Sequence, residues 1–193
     1  MKASFSEQEL KRMDNSKKPL LWVGLVSIIM FFAGLTSAVI VSKASTEWFI
    51  FEIPTEFMTS TILIVISSLT FQLAYWTTKN ENHVLSLVLV VVTFLLGIGF
   101  AISQFAGWST LTANGVVAAG SESWSSGSYW YALSAVHLAH LFGGLISLLV
   151  VAIKSGLKKY SSDKTTGFQV SLTYWHFLGV LWLYIYIFFS VIL

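Results

Sequence analysis

Apolar residues run through this chain in five long stretches that contain no Asp, Glu, Lys or Arg. They occupy residues 19–42, 57–77, 84–106, 129–153 and 168–193. Each reaches the length of about 20 residues that a helix needs to cross the hydrocarbon core of a bilayer. Continuous apolar runs of this length predict helices, because only hydrogen-bonded backbone is tolerated in lipid. The predicted fold is all-α: a polytopic membrane protein whose residues 19–193 form one bundle of five transmembrane helices.

The composition also indicates an integral membrane protein. Of the 193 residues, 55% are hydrophobic and 10% are charged, against about 25% charged residues in soluble domains. There is no Cys, which excludes disulfides and thiolate-based metal or redox sites. Residues 1–18 are polar, and we expect a cytoplasmic tail there, either a short surface helix or a disordered segment. Pro19 suits the first position of the first membrane helix, because its missing N–H would have no partner there.

The distribution of Lys and Arg predicts the orientation of the bundle. Five of the eleven lie before the first stretch and four in the connection between the fourth and fifth. The first and second connections have one each, and the third has none. Alternate sides therefore carry ten and one basic residues. Because basic residues stay on the cytoplasmic side, we expect a cytoplasmic N-terminus and an external C-terminus.

Aromatic side chains cluster near the ends of the stretches, where such residues usually anchor helices at the membrane interface. Near the ends predicted to be cytoplasmic lie Trp22, Tyr75, Trp76, Tyr160, Tyr174 and Trp175; near the other ends lie Trp48, Trp108, Trp124 and Trp130. We expect ordinary interface anchors at these positions. Residues 107–128, rich in Gly, Ser and Ala, are expected to form one long flexible loop.

Polar residues inside the second and third stretches fall on narrow helical arcs. They are Thr61, Ser68 and Gln72 on the second stretch, and Thr93, Gly97 and Gln104 on the third. Within lipid, hydroxyl and amide groups at such positions usually hydrogen-bond one helix to another. We therefore expect these residues to join helices and not to bind a substrate.

The fourth stretch carries two faces that are unsuited to lipid. Ala135, Ala139, Gly143 and Ser147 repeat every four residues and would let another backbone approach closely. An adjacent face carries His137, His140 and Gly144. The pattern predicts a helix that lies deep within the bundle or against a partner subunit.

The two histidines of the fourth stretch allow three interpretations. As metal ligands they would need further donors, and His176 lies at another depth in the last stretch. A haem site would need one His on each of two helices at matching depth. As neutral imidazoles that hydrogen-bond to neighbouring helices or lipid headgroups, they need no other ligand, and we favour this interpretation. An independent His-ligated metalloenzyme would need more intramembrane histidines than these three.

Taken in order, these motifs resemble a known family. Residues 127–131 followed by His137-x-x-His140 and Gly143-Gly144 are similar to the penultimate helix of subunit III of haem–copper cytochrome c oxidases. Trp175-His176-Phe177 followed by Trp182 resembles the final helix of that family, and Gln104 before Trp108 resembles the end of a preceding helix. The likeness spans about residues 20–193, and five helices correspond to the short bacterial form.

The resemblance implies an accessory subunit in a bacterial inner membrane. It implies direct contact with subunit I, contact with other oxidase subunits, bound phospholipid and no nucleic-acid partner. Haem and copper are expected in the partner catalytic subunits and not in this chain. The residues expected to serve helix packing or lipid contact are His137, His140, Gly143, Gly144, Gln104, Trp175, His176 and Trp182.

Three acidic residues that the family usually has are absent from this sequence. Ile28, Gly179 and the residues 105–107 stand in the corresponding regions. This departure argues against a proton-relay role for the chain. The alternatives are a subunit of a quinol oxidase or nitric oxide reductase with the same fold and, from another class, a small membrane transporter. The absence of broken helices and of an inverted repeat counts against the transporter.

Overall fold

A computed structural model of the chain describes residues 7–44, 48–120, 123–157, 160 and 165–193. Within these residues the chain forms five α-helices and no strand: α1 (Glu7–Ser42), α2 (Thr55–Lys79), α3 (His83–Ala113), α4 (Ser125–Gly156) and α5 (Thr166–Ile192). All five are long and apolar enough to cross a membrane. The predicted all-α bundle of five spanning helices is therefore confirmed.

The helices α2 to α5 form a ring. Each packs against the next along the chain, and α5 closes the ring against α2. Helix α1 lies outside the ring, against α4 and α5. The starts of α1, α3 and α5 and the ends of α2 and α4 share one end of the bundle, which we call the basic end because Lys18, Lys79 and Lys154 lie there. The ring encloses the buried polar residues and positions the candidate site.

Helix α1 begins earlier than the sequence predicted. It starts at Glu7 and runs without interruption through Pro19, which is inside the helix and not at its first position. Residues 7–13 are mostly strong helix formers such as Glu, Gln, Leu, Lys and Met. Their propensity offsets the one backbone hydrogen bond that a proline removes. From Glu7 onward the expected tail is thus an extension of α1, whereas residues 1–6 lie outside the described residues.

Half of the long loop predicted at residues 107–128 is helical. Helix α3 continues to Ala113, and α4 begins at Ser125. Gly107 lies against the ring of Phe57, and the Trp108 indole N–H donates to the hydroxyl of Ser134 on α4 at 3.0 Å. The residues after α3 fold back, since the Tyr131 hydroxyl donates to the carbonyl of Val116 at 3.0 Å. Tertiary contacts therefore extend a helix that hydropathy alone ends at residue 106.

Several of the expected interface anchors belong to the core instead. Trp130 and Trp175 are fully buried, whereas Trp22, Trp76 and Trp124 are exposed as expected. These positions lie near stretch ends, but the ring of helices closes around them.

Tyr160, between α4 and α5, is another buried aromatic residue. Its ring packs edge-on against Phe168 with 5.7 Å between the ring centroids. Burial raises the pKa of Tyr160 to about 12. The phenol is therefore neutral at physiological pH and acts as a packing residue.

The orientation of the bundle is testable with reporter fusions. We expect a reporter that is active only in the cytoplasm to function when fused in the connection between α4 and α5, because the basic residues predict this side. Fusions between α3 and α4 should be silent. The reverse pattern in matched fusions would show that the bundle is inserted the other way round.

Candidate functional site

Two indoles of α5 form hydrogen bonds to the adjacent helix α2. The Trp175 Nε1–H donates to Ser67 Oγ, and the Trp182 Nε1–H donates to Thr61 Oγ1, both at 3.0 Å. The two tryptophans are seven residues apart, which places them on one face of α5 two turns from each other. Both are fully buried. Large rings therefore fill the interior, and hydroxyl groups satisfy their polar ends.

Trp175 fits into a slot made by two glycines. A Cβ placed on Gly97 of α3 would lie 2.7 Å from Trp175 Cη2. A Cβ on Gly144 of α4 would lie 3.1 Å from Trp175 Cε3 and 2.9 Å from Leu178 Cδ1. The ring of Trp175 leaves no room for a side chain at either position. Gly97 and Gly144 are thus the points of close approach among α3, α4 and α5.

Three of the four small residues of α4 are not packed inside the described part of the chain, whereas Ser147 Oγ donates to Ser171 Oγ on α5 at 2.8 Å. Ala135, Ala139 and Gly143 are exposed, and a Cβ on Gly143 would meet only the Tyr174 hydroxyl, at 3.5 Å. Gly144 therefore packs inside the bundle and Gly143 does not, whereas the other expected place for Gly143, against a partner subunit, stays a prediction. One residue along a helix turns the side-chain direction by about 100°, so α5 meets Gly144 while Gly143 points outward.

The polar residues of the second and third stretches join helices, as the sequence predicts. Gln104 Nε2 donates to Ser60 Oγ at 2.8 Å, and the hydroxyls of Thr70 and Thr93 lie 2.8 Å apart. His176 Nε2 lies 3.1 Å from Gln72 Oε1, which links α5 to α2. These contacts use intramembrane polar groups for helix association.

The two histidines of α4 lie in different surroundings. His137 is fully buried, with its ring centroid 5.8 Å from Phe100 and 5.3 Å from Trp182. Neither ring nitrogen of His137 has a hydrogen-bond partner among the described residues. His140 Nδ1 lies 2.8 Å from the carbonyl of Val136 on its own helix. The described residues therefore show no hydrogen bond from these ring nitrogens to a neighbouring helix, and the expected alternative, contact with lipid headgroups, stays a prediction.

The described residues contain no group of three or more His, Cys, Asp or Glu side chains that could hold a metal ion. The ring of His137 packs against Trp182 with an interplanar angle of 39°, and His176 precedes Trp182 by six residues, which corresponds to about 9 Å along α5. Zinc ligands would all have to lie about 2 Å from one ion. The two histidines are consequently separate packing residues.

Glu56 lies just before the second apolar stretch, so hydropathy alone leaves it outside the predicted helix. Glu56 lies in the first turn of α2, and its carboxylate accepts a hydrogen bond from the Thr110 hydroxyl at 2.8 Å. Its backbone carbonyl accepts one from Ser103 at 2.7 Å. An acidic residue just before an apolar run is a helix-start signal, and that signal could have identified it. Glu56 ties the start of α2 to the end of α3.

Two grooves lie along the seam between α1 and α5. At the basic end is a cleft of about 300 Å³ between Lys18 and Trp22 on one side and Tyr75 and Gln169 on the other. Farther along the seam, an apolar groove of about 450 Å³ is lined by Ile29, Phe32, Ala33, Phe177, Val180, Leu181 and Tyr184. Hydropathy could not reveal these grooves, because they depend on how α1 leans on the ring.

Comparison with known proteins gives consistent matches along most of the chain. The family model described as cytochrome c oxidase subunit III matches residues 25–192. The "Probable cytochrome c oxidase subunit 3" of Mycobacterium tuberculosis is 28% identical over 166 residues, covering 83% of this chain and 80% of the relative. The "Probable quinol oxidase subunit 3" of Staphylococcus aureus is 33% identical over 153 residues, covering 75% and 69%. The protein of the same name from Staphylococcus saprophyticus is 27% identical over 186 residues, covering 89% and 87%.

Proposed function

Because this chain belongs to the cytochrome c oxidase subunit III family, we propose that it is the accessory subunit that stabilises the catalytic subunit of a bacterial terminal oxidase. Family membership makes it a multi-pass membrane subunit III of a haem–copper oxidase, of the cytochrome c or quinol type. The finer role proposed is direct packing on subunit I in the inner membrane, without haem or copper in this chain.

The observation that carries this proposal is how the intramembrane polar groups are used. Trp175, Trp182, Gln104 and His176 each form a hydrogen bond with α2. These bonds join α3 and α5 to α2 within the described part of the chain. The described residues also hold no metal-binding cluster. A chain built in this way supplies structure to a complex whose redox centres lie in other subunits.

The exposed small residues of α4 are the surface we assign to subunit I. Ala135, Ala139 and Gly143 lie on the outside of the ring. Small side chains let a second helix approach closely in a membrane, where helices associate by close packing and hydrogen bonds. The described part of the chain leaves these three residues exposed, and a transmembrane helix of the catalytic subunit would cover them.

Lipid binding is the second part of the proposal, and the two grooves between α1 and α5 support it. The cleft at the basic end combines the Lys18 ammonium group with the aromatic side chains of Trp22 and Tyr75. A cation flanked by aromatic residues suits an anionic headgroup at the membrane interface. The apolar groove beyond Phe32 and Phe177 suits an acyl chain. We assign an anionic phospholipid to this seam.

The lipid assignment predicts a selective effect of one charge. Lys18→Gln should lower the amount of anionic phospholipid that co-purifies with the chain, because the headgroup loses about 1 kcal/mol of attraction near the surface. Native mass spectrometry of the delipidated and re-loaded protein measures this loss. Lys43→Gln is the matched control, since Lys43 is exposed just beyond the C-terminal end of α1. Equal lipid loss in both variants would contradict a site at Lys18.

The choice of electron donor is not encoded in the described part of this chain. Relatives named for cytochrome c oxidase and for quinol oxidase match it at similar identity. The transporter alternative gains no support, because all five helices run unbroken.

A tagged chain extracted in mild detergent provides the test of the accessory role. We expect it to co-purify with a catalytic subunit and to show haem bands in the visible spectrum. The same chain purified free of partners should show none and should contain no stoichiometric metal. Haem or metal bound to the partner-free chain, and lost on His140→Ala, would overturn the accessory assignment. Repeated extraction without any oxidase subunit would do so as well.

A further inference from the structure

Three polar atoms inside the ring have no hydrogen-bond partner among the described residues. They are the carbonyl oxygen of the Gln104 side chain, Oε1, and both ring nitrogens of His137. Both residues are fully buried. The other end of the Gln104 amide is bonded to Ser60, so only its acceptor is unpaired. Unpaired donors and acceptors at one place indicate a missing hydrogen-bonding molecule.

The pairing of α3 with α4 places these atoms at one level of the bundle. The two helices are antiparallel, and Trp108 meets Ser134 through a hydrogen bond. Gln104 lies four residues before Trp108 on α3. On α4, Leu138 lies four residues after Ser134 and directly follows His137. Gln104 and His137 are therefore level to within one residue, or about 1.5 Å along the axis.

Contacts around the ring confirm the shared level. Gln104 bonds to Ser60 on α2, and the adjacent Thr61 accepts the indole N–H of Trp182 on α5. The ring of Trp182 in turn packs against His137 of α4, with 5.3 Å between the ring centroids. Each helix of the ring thus contributes to one polar layer, and on α2 its members are the small residues Ser60 and Thr61.

A direct bond between the two residues is disfavoured by their other contacts. The Gln104 side chain is already bonded through Nε2 to Ser60. His137 lies between the rings of Phe100 and Trp182. Leaving a buried donor and acceptor unpaired costs more free energy than ordering one water molecule that pairs both of them.

We propose that Gln104 and His137 hold an internal water molecule in the polar layer of the ring. A neutral imidazole has one N–H donor and one acceptor nitrogen. The water accepts the N–H of His137 and donates to Gln104 Oε1, which pairs a donor with an acceptor across α3 and α4. The water molecule thus bridges α3 and α4 inside the membrane-spanning part of the chain. This proposal does not depend on which type of oxidase the chain belongs to or on its electron donor.

Solid-state NMR of the full chain in lipid bilayers tests this assignment. The chain has four histidines, so ¹⁵N-histidine labelling gives few ring signals, and loss of one signal in His137→Gln identifies His137. We expect magnetisation to pass from water protons to a His137 ring nitrogen. In Gln104→Leu this transfer should fall to the background level.

Trp130→Phe is the matched control. It also removes a buried polar atom without a partner, Nε1 of Trp130, but seven residues away on α4, or about 10 Å along the axis. The water transfer to His137 should persist in this variant. Absence of transfer in the wild-type chain would overturn the proposal, whether or not any variant folds. Undiminished transfer in Gln104→Leu would overturn it too, because the water would then not bridge these two residues.

Discussion

Deletion of this chain should leave the haem and copper signals of the assembled oxidase intact while shortening its working life. The described residues of the chain offer no metal site, so its removal takes away no redox centre. Initial oxygen reduction should fall by no more than about twofold, which corresponds to only about 0.4 kcal/mol of barrier. Activity should then decay faster over successive turnovers, because the catalytic subunit loses a packed helical neighbour and its bound lipid.

The measurement is an oxygen-consumption trace and a visible spectrum of membranes with and without the subunit. Re-expression of the wild-type chain is the control and should restore the slower decay. A lower yield of assembled complex with a normal spectrum per haem would also support an accessory role. A haem or copper signal missing from complexes that remain assembled would show that this chain supplies a ligand. Normal respiration together with loss of solute uptake would favour a transporter.

Hydropathy predicted the helices well because lipid imposes a strong and simple rule. Each of the five apolar stretches corresponds to a helix, and the error lies at the ends. Residues 107–113 are polar enough to resemble a loop, yet they remain helical because Gly107 accommodates the ring of Phe57 and Trp108 bonds to Ser134. The missing N–H of Pro19 favours the first position of a helix, but the helix-forming residues before it extend α1 back to Glu7. Helix ends depend on tertiary contacts that a one-dimensional pattern does not contain.

The candidate site was predictable in its residues but not in its geometry. Gln104, Trp175, His176 and Trp182 each form a hydrogen bond with α2, which is consistent with the role in helix packing that we expect for them. Which residue of the Gly143-Gly144 pair faces α5 depends on the rotation of α4, and a spacing of four residues fits either face. The sequence also could not show that the ring nitrogens of His137 have no hydrogen-bond partner among the described residues, since the aromatic rings around it come from α3 and α5.

Gly144→Leu should destabilise the bundle, whereas Gly143→Leu should spare the fold and weaken assembly. A side chain on Gly144 would collide with Trp175 and Leu178. Overpacking of this kind costs about 1–3 kcal/mol, or a fall in Tm on the order of 2–12 °C for a domain of this size. Gly143 faces outward and has ordinary space around it.

The two adjacent glycines make a matched pair, because both substitutions add the same side chain and the same gain in helix propensity. Thermal unfolding in detergent measures the fold, and co-purification with the catalytic subunit measures assembly. Gly143→Leu should keep the wild-type Tm and lose the partner, since a Leu would fill the space that a second helix needs. Equal Tm values for Gly144→Leu and the wild type would contradict the slot around Trp175. Normal co-purification of Gly143→Leu would instead move the docking surface away from the small-residue face of α4.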